Sequence, residues 1–548
     1  MADEHPNILV IMTDEERYPP PYEQESVAAF RRTELPARQI LRERSVELHR
    51  HYAGATACLP SRATLFTGQY PSLHGVTNTD GLAKHANDPS MSWLDPDTVP
   101  TLGDWFRAGG YQTHYRGKWH VSHADLPIAG TDQFLATNDD DGVVIAEAVD
   151  AYRRADRLDP FGFSGWIGRE PHGAARSDCG IIKDGTYAEQ VSQLFGELAG
   201  SRGDGPWLAV ASFVNPHDIA FSGFGWEQIL RFGPPDDAVP SIAEAPSQAD
   251  SFDGRPRAHR LFTETWPKML YEQAVDETYR RLYYHLIRQV DRAISRILEA
   301  LDASGMTEDT VIVFTSDHGD LLGAHGGMPQ KWHNAYDEAV RVPFYVSGPG
   351  VDRRPEGIWS PTSHVDLLPT LLGLAGIDLE AATSGVAAHH VGARPLPGRD
   401  LSAFLGGRAG ATGPDGAIYF MTEDEVSRGA SQTNLFSGAP YEPVGEPAKV
   451  ESVITELATG PDGGRELWKL SHYYERLDEW NAEHGIPANP FAGAAAEADW
   501  ELYNLSLDPE ERTNLATSAG TPISTLRSEL DAQREAKRKL PALGGLRP

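Results

Sequence analysis

Three stretches of this chain share one form: an apolar, largely β-branched run that ends in carboxylates or imidazoles. They are NILVIMTDEE (7–16), PWLAVASFVNPHD (206–218) and TVIVFTSDHGD (310–320). A short, unbroken apolar run bounded by polar residues is the pattern of a strand buried on both faces. Strands of that kind need helices on both sides of the sheet. ETYRRLYYHLIRQVDRAISRILEALDASG (277–305) has apolar residues at helical spacing and a terminal glycine. YQTHYRGKWHVSH (111–123) alternates like a further strand. Alternating strands and helices predict an α/β fold with a large, mostly parallel central sheet flanked by helices. Ligands of such sheets bind beyond the carboxyl ends of the strands. Asp14, His217, Asp317 and His318 all fall there.

The segment from about 125 to 260 is rich in Gly, Pro and Asp and weakly periodic. It reads as long loops and insertions that wall a cleft. Its aromatic stretches FGFSGWIG (161–168) and FSGFGWEQ (221–228) read as an apolar wall for an organic group or as loop packing. From about 385 to 415 the chain is again rich in Gly and Pro. The expected division is a catalytic α/β domain over 1–400 and a smaller C-terminal α+β domain over 401–548. In the latter, AIYFMTED, VESVITEL, ELWKLSHYY and WELYNLSLDPEERTNLA read as a short antiparallel sheet with a helix in the tail. There is no internal repeat and no low-complexity tract.

Lys and Arg number 48 against 79 Asp and Glu, a formal net charge of −31. So acidic a surface repels nucleic acid and anionic membranes. A cleft lined by a few cations can still take a small anion. Two cysteines, Cys58 and Cys179, make no disulfide framework. The opening MADEHPNILVIMTDEE has no basic n-region and its apolar run ends in acids, so no signal peptide is expected. No run reaches the roughly 20 apolar residues of a membrane span. The expected location is cytoplasmic, with no membrane or nucleic-acid partner and with homo-oligomerisation left open.

One cysteine stands in CLPSRATLFTG (58–68). A helix here puts Cys58 and Arg62 one turn apart on the same face, near its N-terminus, with Pro60 in the first turn. That end of a helix attracts anions and lowers a thiol's pKa. Cys58 is therefore either a reactive side chain beside a fixed cation or a small buried core residue.

CLPSRATLFTG and its continuation TGQYPSLHG resemble the Cys-x-Pro-Ser-Arg signature of the formylglycine-dependent sulfatases, in the alkaline-phosphatase superfamily. NILVIMTDEE, GKWH (117–120), NPHD (215–218), TSDHGD (315–320), RVPFYVSGPG (341–350), HVDLLPTLLGLAG (364–376) and ELYNLSLDPEERTNLA (501–516) extend the resemblance in order along the chain. It is weakest over 125–260 and 225–275. The resemblance implies a cysteine oxidised to formylglycine (3-oxoalanine), whose hydrate is the nucleophile. A formylglycine-generating enzyme reads Cys58, Pro60 and Arg62 and is the implied maturation partner.

The resemblance also implies roles. Asp14, Glu15, Asp317 and His318, with residue 58, would hold one divalent metal ion, Ca²⁺ or Mn²⁺. The family more often shows Asp-Asp and Asp-Asn at these places. Asp317-His318 is similar to the branch with choline sulfatases and phosphonate monoester hydrolases, and an imidazole suits a transition metal. Glu15, with its longer arm, either reaches the ion or points away. Arg62 would hold the formylglycine hydroxylate. Lys118 would neutralise sulfate oxygens and His120 would act as base in releasing sulfate; two apart on a strand, they would share a face. His217 and Lys331 would contact the ester oxygen and protonate the leaving group. Asn78 is a donor to a substrate oxygen or a turn residue. His325, His333 and His364 read as structural or cleft-lining, and Cys179 as an ordinary thiol.

These residues point to hydrolysis of a small sulfate ester, aryl or alkyl. The other reading is a phosphodiester or phosphonate monoester hydrolase with the same nucleophile, and activity on both is expected because both centres are tetrahedral. Retention of GKWH favours sulfate. A non-catalytic binding protein on the same scaffold would have lost some of these residues, and all are present.

Overall fold

The computed structural model describes residues 5–171, 175–201, 203–222, 232–408, 413–445, 447–475 and 498–538. Its centre is a six-stranded sheet in the order Val46–Glu47, Phe344–Ser347, Thr310–Ser316, Asn7–Asp14, Trp207–Pro216, Gln112–Gly117. The last four strands run parallel, and the first two pair antiparallel at one edge. Val10 stands opposite Val210 on one side and Val313 on the other.

The unbroken apolar run of the first strand follows from two buried faces. Ile8, Val10 and Met12 point into a core shared with Leu59, Ala63 and Phe66 of the helix Cys58–Thr67. Leu9 and Ile11 point to the opposite face, against Val191 and Phe195 of the helix Gly180–Gly200 and Ile294 and Ile297 of the helix Glu277–Ser304. Alternate side chains of a strand face opposite sides, so both sets are apolar.

The segment 125–260 holds more regular structure than its composition predicts. It contains the helix Ala146–Ala155 and the 21-residue helix Gly180–Gly200. The latter carries Gly180, Gly185, Gly196 and Gly200, a sequence poor in helix propensity. Burial of Tyr187, Val191, Leu194 and Phe195 holds it, and the Asp184 carboxylate accepts from the Val214 and Asn215 N–H at 2.7 and 3.1 Å. Residues 223–228 of FSGFGWEQ lie outside the described residues.

The C-terminal part forms a four-stranded antiparallel sheet, Ile418–Thr422, Lys449–Leu457, Glu466–Tyr474 and Asp499–Asn504. Leu526 and Leu530 of the helix Ile523–Lys537 pack on one face with Tyr419, Val453 and Leu470. The other face packs Phe420, Val450 and Tyr473 against Trp332, Met328 and Ala57, so it meets the loops at the carboxyl edge of the large sheet. No helix among the described residues is long and apolar enough to cross a membrane.

The strand expected over 111–123 ends at Gly117, so Lys118 and His120 do not share a strand face. Gly117 has φ +104, and a Cβ there would lie 1.8 Å from the Ser212 carbonyl oxygen. The backbone turns out of the sheet at the one residue that can do so. Gly117→Ala should therefore cost about 2 kcal/mol or more and lower the denaturant midpoint. A neutral exposed site such as Gly130→Ala, also at positive φ but with nothing within 4 Å of its Cβ, should cost about 1 kcal/mol.

Candidate active site

Four parallel strands end at one edge and each delivers a polar residue. Asp14 is the last residue of its strand; Lys118, His217 and Asp317 directly follow the strands ending at Gly117, Pro216 and Ser316. The helix Cys58–Thr67 starts against this edge. Ser61 Oγ donates to the Asp317 carbonyl at 2.5 Å, and the Ala57 N–H points to Asp424 Oδ2 at 3.4 Å.

Arg62, one turn into that helix, is fully buried. Its Nε donates to Asp317 Oδ2 at 2.8 Å and its Nη2 to Asp14 Oδ2 at 2.9 Å. Its Nη1 donates to the Lys118 carbonyl at 2.8 Å and to Ser212 Oγ at 3.0 Å. Lys118 Nζ lies 2.7 Å from Asp14 Oδ2. Burial disfavours the charged form of Asp14, but Lys118 and Arg62 outweigh it and hold its carboxyl well below the usual range. Burial and the neighbouring Asp14 push Asp317 up.

Cys58 Sγ lies 3.1 Å from His318 Nε2 and 3.5 Å from Asp14 Oδ1. The helix end was expected to lower its pKa. Instead, burial and the Asp14 carboxylate push the thiol well up, against a weaker pull from Lys331 and Lys118. A dipole end is worth a fraction of a charge, and the adjacent carboxylate outweighs it. The unmodified thiol is thus poorly suited to act as a thiolate.

The donors suit a metal ion. One atom each from Asp14, Cys58, Asp317 and His318 lie within 4.8 Å of one another. His318 Nδ1 is 2.9 Å from the Gly319 carbonyl, which can only accept, so Nδ1 carries the proton. Burial, with Lys331, keeps the imidazole neutral. The Nε2 lone pair then faces Sγ and the carboxylates, the usual arrangement of a ligating histidine tied to a carbonyl. Asp14, Glu15 and His217 form a second, overlapping group of three donors. Glu15 itself, at φ +71, sets its Oε2 2.8 Å from Lys331 Nζ. His217 is half-buried, edge-on to Phe221, and burial with the Lys118 charge holds it neutral.

Eight of the predicted residues besides Cys58 thus meet in one cluster: Asp14, Glu15, Arg62, Lys118, His217, Asp317, His318 and Lys331. Two are placed by other partners. His120 Nε2 lies 2.6 Å from Asp80 Oδ1. Asn78 Nδ2 donates to Thr77 Oγ1 at 3.0 Å and its Oδ1 accepts from the Glu425 N–H at 3.4 Å, which fastens its loop to the C-terminal part. His325 pairs with Glu338 at 3.0 Å and stacks on Tyr336. His333 Nδ1 is 2.9 Å from the Ala448 carbonyl, and His364 Nε2 is 3.1 Å from that of Ser316. Cys179 is a buried thiol.

Sequence reasoning missed Asp424. Its carboxylate accepts from the Thr79 N–H at 3.0 Å and the Trp332 indole at 2.9 Å, besides facing Ala57. It therefore fixes the start of the Cys58 helix and the residue beside Lys331. AIYFMTED has the same apolar-then-acid form as the strands of the large sheet, which was the available signal. Asp80 and Glu170 were missed too, with no pattern to mark them.

A family model described as Sulfatase matches residues 6–377. The chain is 28% identical to a choline-sulfatase of Rhizobium meliloti (strain 1021) over 393 residues, covering 69% of each. Among solved structures it is similar to a 2-O GAG sulfatase, with a TM-score of 0.63 and 20% identity over 97% of this chain and 93% of that one. It is also similar to the phosphonate monoester hydrolase SpPMH from Silicibacter pomeroyi, with a TM-score of 0.59 and 19% identity over 97% and 96%.

Arg62→Leu leaves two buried carboxylates without their shared guanidinium and should destabilise by about 3–5 kcal/mol. Arg44→Leu removes an exposed partner of Asp302 and should cost about 1 kcal/mol or less. Denaturant unfolding of the two variants side by side checks the difference.

Proposed function

The chain belongs to the sulfatase family, whose members hydrolyse sulfate esters, and from that premise we propose that it hydrolyses a small aryl or alkyl sulfate ester with Cys58 matured to formylglycine. The observation that carries this is the position of Cys58 Sγ, 3.1 Å from His318 Nε2 and 3.5 Å from Asp14 Oδ1, at the start of a helix that also delivers Arg62. Matured, residue 58 supplies a hydroxyl nucleophile in place of a thiol that its surroundings keep protonated. Asp14, Asp317, His318 and residue 58 would hold one divalent ion, Ca²⁺ or Mn²⁺, which when bound supplies positive charge to the ester oxygens.

The remaining work falls to side chains. Arg62 fixes Asp14 and Asp317 relative to residue 58. Lys118 and Lys331 are buried ammonium groups that can face the oxygens of a tetrahedral anion. His217 and Lys331 together serve the leaving oxygen: the Lys331 ammonium carries the proton, and the neutral His217 imidazole contacts the ester oxygen. His120 takes the proton whose removal lets sulfate go and returns residue 58 to its resting form. A formylglycine-generating enzyme supplies the modification. The division of the chain at about residue 400 is part of the same reading: the large sheet presents the reacting groups, and the smaller one backs them.

A second reading is a phosphonate monoester or phosphodiester hydrolase. His318, an imidazole in the donor set, favours it, and the fold is shared with the hydrolase from Silicibacter pomeroyi. Comparing kcat/KM for one aryl alcohol as its sulfate and as its phosphonate ester separates the two.

Mass spectrometry of the peptide carrying residue 58, from active protein, should show the thiol replaced by an aldehyde, and Cys58→Ala should abolish turnover. Unmodified cysteine in fully active enzyme would overturn the mechanism. His217→Ala should depress turnover of alkyl sulfates at least tenfold more than that of activated aryl sulfates, which need less protonation; equal losses would remove His217 from the leaving-group role. Chelation should abolish turnover, and elemental analysis should find one Ca²⁺ or Mn²⁺ per active chain.

A further inference from the structure

His120 is held in three ways that no local preference explains. Its backbone is left-handed, with φ +48, a conformation costing a non-glycine residue about 1 kcal/mol or more. The Glu170 carboxylate sustains it by accepting from the N–H groups of Trp119 at 3.1 Å and His120 at 2.8 Å. Glu170 is fixed in turn, its own N–H donating to Asp125 at 3.0 Å. The imidazole stands 6.0 Å from the Trp93 ring, centroid to centroid. Its Nε2 is 2.6 Å from Asp80 Oδ1 in a pair less than a tenth exposed.

The loop carrying Asp80 is itself pinned. The Thr79 N–H donates to Asp424 at 3.0 Å, and the Gly81 N–H to the Lys84 carbonyl at 2.7 Å. Lys84 Nζ, buried, donates to the carbonyl oxygens of Glu425 and Arg428. A strained residue fastened at its backbone and ring nitrogen, with Trp93 beside its ring, is one whose ring orientation is specified.

We propose that Asp80 is a positioning residue for turnover: its carboxylate accepts a hydrogen bond from the Nε2–H of His120, fixes that tautomer, and so leaves Nδ1 as the atom that accepts a proton. The carboxylate also stabilises the imidazolium once that proton arrives, as an acid behind a catalytic histidine does. Asp80 need not touch the substrate. The proposal rests on the reading of His120 as the base.

The test is a double-mutant cycle on the metal-loaded, matured enzyme, with Asp80→Asn, His120→Ala and the pair. Asp80→Asn should lower kcat about 10–100-fold with KM changed little, while formylglycine content and metal content stay as in the parent. In the His120→Ala background the Asp80 change should cost nothing further, because its effect passes through the ring that is gone. A loss that repeats in full in that background, or a kcat unchanged by Asp80→Asn, overturns the role of Asp80. Full activity of His120→Ala overturns the reading of His120 as the base and Asp80's role with it. Should Asp80→Asn fold poorly, Asp80→Glu carries the same cycle: its longer arm keeps the charge but displaces the contact, so a drop in kcat confined to the His120 background is again expected.

Discussion

The site depends on one guanidinium in the wrong place for a charge. Arg62 has no exposed surface, and a lone cation there would be strongly destabilising. It is tolerated because four acceptors surround it: Asp317, Asp14, the Lys118 carbonyl and Ser212 Oγ. Those acceptors come from the four parallel strands or the residues that directly follow them, Ser212 lying within the strand Trp207–Pro216. One side chain therefore ties the helix that presents residue 58 to every parallel strand that contributes to the cleft, and the planar fork of arginine is the group that can do this.

The rest follows from direction. Parallel strands put their carboxyl ends at one edge, so residues that are hundreds of positions apart in sequence become neighbours. The helix Cys58–Thr67 meets this edge with its N-terminus, and its apolar side is spent on the sheet through Leu59, Ala63 and Phe66. The antiparallel sheet closes the back. Glu501 on its strand Asp499–Asn504 accepts from the hydroxyls of Tyr336, Tyr473 and Tyr503 at 2.6, 2.6 and 2.7 Å. Asp424, just past the strand Ile418–Thr422, reaches Ala57 and Trp332. The segments bearing residue 58 and Lys331 are thereby held from behind by a part of the chain that carries none of the residues of the buried cluster.

Charge explains how so acidic a chain can take an anion. Asp14, Glu15 and Asp317 stand opposite Arg62, Lys118 and Lys331 in the buried cluster. The local balance is near even, so a divalent ion held by Asp14, Asp317 and His318 would turn the cleft positive.

The sequence by itself determined the class of fold and most of the residues that meet in the buried cluster. Apolar runs ending in Asp14, His217 and Asp317 could be read because two buried faces force continuous apolar strands, and because the polar residue must come where the strand ends. Cys58 and Arg62 could be read because helical spacing is local. What only the tertiary structure decided was pairing across distance. The sequence alone did not say that Glu15 would turn to Lys331, that Asp424 would reach the Cys58 helix, or that burial and the Asp14 carboxylate would raise the thiol's pKa against the helix end. It misjudged Lys118 and His120, since a strand's alternation continues in the letters after the backbone has turned away at Gly117. His120 shows the limit most clearly: its partners Asp80 and Glu170 lie 40 and 50 residues away, and a carboxylate's role there is set by where the folded loops bring it, a long-range property that no local pattern encodes.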